Sequence, residues 1–187
     1  MNRLVFTAAA LIALALDSAL LPVLQFGSSW PSSLAVLVTF MCIGADRSQV
    51  PWAALFCGLA VDLSTPVVGP EGEVLRLIGP NALGFAFGST LVLSMRGMLL
   101  RRSPWAIGAA TLAFLLASSV VMVALWSARY WLQEGPMPWP PGGALGEMVH
   151  LSWAAILSAL AGIPLGFILI RSTPVWGFPP VGSIARR

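Results

Sequence analysis

The 187-residue sequence contains no lysine, one histidine, one tyrosine and two cysteines. Its charges are ten arginines and seven acids, and charged residues make up 9% of the chain. Soluble domains carry roughly a quarter. That poverty of charge argues against a nucleic-acid binder, a disordered tail and a secreted soluble domain. It also leaves little for catalysis. A serine intramembrane protease needs a nucleophile with a positioned histidine. The single histidine, His150, has no nucleophile motif beside it. An aspartyl protease needs two carboxylates sharing a site. Asp17 and Asp62 are two acids within apolar runs, but neither has the GxGD context of such enzymes. There is no HExxH pair, cysteine cluster or glycine-rich phosphate loop. Cys42 and Cys57 both fall inside apolar runs and read as small core residues, with no metal spacing. The sequence therefore predicts neither an enzyme nor a cofactor or metal site.

What the chain does have is apolar length, since 58% of its residues are hydrophobic. A spanning helix needs roughly 20 such residues, and a barrel would need alternating strands of about ten. The runs here are continuous, so helices are expected. Six fit, at about 4–26, 28–45, 50–68, 79–100, 104–128 and 147–170. The fold class expected is an all-α integral membrane protein with six transmembrane helices. Residues 1–171 would form the membrane domain, and 172–187 a flexible, proline-rich cytoplasmic tail. The first run resembles a signal peptide in its Arg3 and its small residues near 15–19. Its apolar stretch continues past Asp17 through Leu20, Leu21, Val23 and Leu24, which makes it a retained span.

Cytoplasmic loops carry the positive charge. With both ends inside, Arg3, Arg47, Arg96, Arg101, Arg102, Arg171, Arg186 and Arg187 are cytoplasmic, and only Arg76 and Arg129 lie outside. Glu71, Glu73, Glu134 and Glu147 then fall outside as well. Amphipathic rings prefer the two interfaces. Trp30, Trp126, Tyr130, Trp131 and Trp139 would mark the outer level, and Trp52, Trp105 and Trp176 the inner one.

Lipid supplies no hydrophobic drive for helix association, so small residues that allow close approach are candidate packing faces. These are Gly84 and Gly88 in the fourth span, Ala109, Ala113 and Ala117 in the fifth, and Ser158, Gly162 and Gly166 in the sixth. Ala9, Ala13 and Asp17 share a face of the first. An intramembrane carboxylate costs several kcal/mol unless it is paired or protonated. Asp17 and Asp62 are therefore candidate partner-contact or structural residues. Antiparallel neighbours would put Asn81, in the segment that opens the fourth span, at the level of Asp62. Arg96, Arg101 and Arg102 form a basic cytoplasmic cluster suited to setting topology and meeting anionic lipid.

The order of these features resembles the rod shape-determining protein MreD family. Leu24 and Gln25 close the first span, Pro31 opens the second, and an apolar run follows from Leu34 to Phe40. The segment Gly58-Leu59-Ala60-Val61-Asp62-Leu63-Ser64 is similar to the family's G-L-x-x-D-L. Gly79-Pro80-Asn81-Ala82-Leu83 is similar to its G-x-N-A-L, and Pro164 and Arg171 fit its last span. The likeness runs from 4 to 171, with about 20 residues in specific motifs. Two features depart from the family pattern. Ser32 follows Pro31 where members often carry aspartate, and the stretch between Asp62 and Gly79 is longer, with Glu71, Glu73 and Arg76.

The resemblance implies a non-catalytic inner-membrane component of the bacterial cell-elongation machinery. Such a protein works with an MreC-like protein and, through the complex, with MreB, RodA and a class B penicillin-binding protein. It also implies a fold resembling the six-helix substrate-binding subunits of energy-coupling-factor transporters. A small-solute-binding transporter subunit is therefore the alternative reading, for which Asp62, Asn81, Gln25 and Arg76 are the available polar groups.

Overall fold

A computed structural model describes residues 2–20, 23, 29–65, 67–68, 74–75, 78–97, 103–133 and 143–178. These are almost entirely helical. Helix α1 spans Arg3–Ala15 and runs into a π-helical turn at Leu16–Leu20. Helices α2 (Ser33–Gly44), α3 (Val50–Ser64) and α4 (Pro80–Met95) are short. Helices α5 (Pro104–Gln133) and α6 (Gly143–Arg171) are long, and a single turn, α7 (Thr173–Trp176), follows. Between α3 and α4, β1 (Val67–Val68) pairs antiparallel with β2 (Val74–Leu75). Among the described residues, two helices are long and apolar enough to cross a membrane, over Pro104–Leu132 and Gly143–Arg171. Both outlast their sequence expectations. Helix α5 continues beyond 128, and α6 begins four residues before 147.

The helices run alternately up and down. Asn2 N–H donates to the Trp176 carbonyl (3.0 Å), and the Arg96 guanidinium donates to the Ala45 carbonyl (2.7 Å). These contacts gather Asn2, Ala45, Arg96 and Trp176 at one end, called the near end below. The starts of α2 and α4 lie at the far end. Helix α2 is the axis of the bundle. Eleven of its twelve residues are buried, and α1, α3, α4, α5 and α6 all pack on it. Cys42 in α2 and Cys57 in α3 are free and buried.

Close approach through small residues holds the helices together, because it brings backbone against backbone and maximises dispersion contacts. Added to Gly84, a Cβ would lie 2.5 Å from Ser118 Oγ and 2.9 Å from the Ser118 carbonyl oxygen. At Gly88 it would lie 2.7 Å from the Phe114 carbonyl oxygen. The fourth-span pair thus faces α5. On α6, Gly166 packs on Ile107, and Gly162 on Gly108, Thr111 and Val36. The α5 alanines behave differently. Ala109 is exposed, and Ala113 and Ala117 are half-buried. The close contacts of α5 run through Gly108, Thr111, Phe114 and Ser118, because one residue step rotates a helix by about 100° away from the alanine stripe. Replacing Gly88 by alanine forces α4 away from α5. We expect a loss of about 1–3 kcal/mol, read as a lower midpoint in a thermal melt of the detergent-solubilised protein.

The segment after α6 differs from the flexible tail expected from 172. Trp176 is 2% exposed, and its indole N–H donates to Ser172 Oγ (2.9 Å). Its ring meets Phe40 edge-on at 5.3 Å and stacks on Phe178 at 5.8 Å. A buried indole needs a partner for its N–H, and Ser172 supplies it from the same turn. Residues 179–187 lie outside the described residues.

Candidate functional site: two aspartate-capped helix starts

The first four N–H groups of any helix have no partner within the helix. In this protein two carboxylates from neighbouring helices meet that need. Asp62, two residues before the end of α3, is 3% exposed. Its Oδ2 accepts from the N–H groups of Gly79 (2.8 Å) and Ala82 (3.2 Å). Its Oδ1 accepts from Asn81 N–H (3.1 Å) and Asn81 Nδ2 (2.9 Å). The Asp62–Asn81 pairing expected from antiparallel neighbours is thus present, with main-chain donors around it.

Local sequence makes this geometry possible. Gly79 has φ of +128°, a conformation side chains rarely adopt, so the chain can turn sharply into α4. Pro80 opens the helix where no N–H is needed. Gly58 lies one turn before Asp62. A Cβ there would lie 2.5 Å from the Asn81 carbonyl oxygen and 2.6 Å from Ala82 Cα. Glycine at 58 therefore lets the first turn of α4 settle against α3, within reach of Asp62. The two motifs form one device, a pocket for a helix start and a carboxylate that binds it.

Asp17 does the same for α2. It sits in the π-helical turn after α1, and its Oδ1 accepts from Ser33 N–H (2.7 Å) and from the Ser33 hydroxyl. Its Oδ2 accepts from the Ser32 hydroxyl (2.8 Å) and Leu34 N–H (3.2 Å). Ser32 N–H donates to Ser158 Oγ of α6 (2.9 Å), which ties α6 to the same point. The departure at position 32 has a physical consequence. Serine donates a hydrogen bond to Asp17, whereas an ionised aspartate there could only accept and would repel it. Ser158 was legible only as a small packing residue, and its role as a hydrogen-bond acceptor for the α2 start went unforeseen.

No family model, curated protein or solved structure matches this chain.

The remaining predicted residues lie elsewhere. Arg96 is at the near end, and Arg101 and Arg102 lie outside the described residues. His150 Nδ1 is 3.8 Å from Glu147 one turn earlier on α6. Among the described residues no group of three or more His, Cys, Asp or Glu could hold a metal ion. A near-end cleft lined by Phe40, Ile43, Gly44, Ile107, Ile170 and Phe178 offers about 10 Å³. That is no more than the space one water requires. The chemistry available at Asp17 and Asp62 is acceptance. Each carboxylate faces four hydrogen-bond donors, and a helix N-terminus favours negative charge.

Proposed function

We propose that this chain is a six-pass, non-catalytic scaffold of the bacterial inner membrane, belonging to the cell-elongation complex that builds lateral peptidoglycan. Its ends would be cytoplasmic. Its partners would be an MreC-like protein and, through the complex, MreB, RodA and a class B penicillin-binding protein. The observation that carries this reading is the use made of the two carboxylates. Of the residues that match the MreD-like motifs, Gly58, Asp62, Gly79, Asn81 and Ala82 serve to bind one helix start to its neighbour. They shape a bundle, and the chemistry left to them is structural.

The surface supports a lipid setting. Side chains pointing outward include Leu4, Leu11, Phe56, Phe87, Leu160 and Ile168, while Ser89, Thr111 and Ser158 lie inside. In water such a shell would drive aggregation. Trp52 and Trp105 are exposed at the near end, and Trp131 at the tip of α5. Two separated levels of exposed tryptophan are what two interfaces favour. With six spans, the near end, which carries Arg3, Arg47, Arg96 and Arg171, would be cytoplasmic.

Depletion of the protein in a rod-shaped host should turn rods into spheres within a few generations, and a tagged copy should retain an MreC-like protein after mild detergent extraction. Unchanged shape combined with a requirement for one nutrient would refute the scaffold and favour a solute-binding subunit. An alkaline phosphatase fusion at 187 should be inactive and a fluorescent-protein fusion bright.

A further inference from the structure

Helix α1 is packed unlike the others. Ala13 is its one buried side chain, and Leu4, Leu11 and Ile12 are 81%, 62% and 61% exposed. Val5, Phe6, Ala9, Ala10 and Leu14 are only half-buried against the core. Polar ties are concentrated at its two ends. At the far end Asp17 binds the α2 start through Ser33 N–H (2.7 Å) and the Ser33 hydroxyl, whose oxygen lies 3.0 Å from the Ala13 carbonyl oxygen. At the near end Asn2 N–H donates to the Trp176 carbonyl (3.0 Å). The far tie sits in a π-helical turn, a local widening that appears in helices where the chain must adjust or pivot.

The near tie is itself held by a second layer. Trp176 is wedged between Phe40 of α2 and Phe178. The Phe178 ring in turn lies over Gly44, where a Cβ would approach its Cε2 to 2.5 Å. The last described residues therefore form a strap across the near end, and the strap carries the atom that holds the start of α1.

We propose that α1 is a hinged gate on the bundle, pivoting at the Asp17 turn and locked at its near end by the Trp176–Phe178 strap. Loosely packed elements are the ones that open at least cost, and hinges are the few terminal residues that absorb the motion. Release of the strap lets the near end of α1 swing away from α2. The α2 face beneath it then becomes accessible from the membrane. This holds whatever the bundle scaffolds.

Electron–electron resonance of the full chain in lipid nanodiscs tests it. Cys42 and Cys57 are changed to alanine, and spin labels are placed at Thr7→Cys on α1 and Phe56→Cys on α3, both exposed sites. A reference pair joins Phe56→Cys to Ala109→Cys on α5. In the parent protein the α1–α3 distribution should be narrow. Trp176→Ala should add a second population at longer distance, and so should Gly44→Ala, which displaces Phe178 without touching α1. The reference pair should keep its distribution in both. An unchanged α1–α3 distribution in both variants would overturn the gate. So would broadening of the reference pair alongside it, since the strap would then be holding the whole bundle.

Discussion

Replacing Asp62 by alanine should lower stability by roughly 3–5 kcal/mol, the largest effect we expect from any single side chain here. Four donors converge on this carboxylate, which is itself 3% exposed; the Ala82 N–H is buried, and the donors of Gly79 and Asn81 are half-buried. Each buried donor left without a partner costs about 1–3 kcal/mol, and the helix start loses the charge that complements its dipole. Asp62→Asn keeps the shape and one carbonyl acceptor, but it turns an NH2 group toward N–H donors. It should therefore lie between the wild type and the alanine variant. The check is a melting curve in detergent, read by size-exclusion profile, together with protein level in the membrane. An Asp62→Ala melt that overlays the wild type would show that the α4 start finds other partners.

The second large effect belongs to a residue with no side chain. Gly58→Val would drive its Cβ into the backbone of Asn81 and Ala82, where no flexible group can yield. Overpacking of this kind costs about 1–3 kcal/mol, and here it should also pull the donors out of reach of Asp62. The two variants damage one device, so their effects should not add. In a double-mutant cycle, Gly58→Val combined with Asp62→Ala should cost clearly less than the sum of the two, because the clamp can be lost only once. Simple additivity would mean that Gly58 and Asp62 act independently, against the geometry.

Much of this was legible from the sequence because it depended on local spacing. The apolar runs marked α3, α5 and α6 to within a few residues at most ends, and Gly84, Gly88, Gly162 and Gly166 fall on faces that meet neighbouring helices. The level of Asn81 followed from antiparallel order alone. What could not be read depended on contacts distant in sequence. Asp17 reaches Ser33 across a connection that carries no pairing signal. Trp176 looked like an interfacial ring, since nothing in its own segment reveals that Phe40 waits to receive it. The alanine stripe on α5 was misleading for a geometric reason. Two small-residue stripes one position apart look alike in sequence, and only the neighbours decide which is used.

The burial of α2 has a consequence for how the protein is made. At twelve residues this helix is about 18 Å long, shorter than a hydrocarbon core of about 30 Å. Helices α5 and α6 complete its enclosure, and they are synthesised after it. Ser158 and Gly162 of α6 touch Ser32 and Val36 of α2 more than 120 residues earlier in the chain. During synthesis α2 must therefore wait, shielded at first only by the helices beside it in sequence. The enclosure of α2 stays incomplete until α5 and α6 leave the ribosome, long after α2 itself has been made.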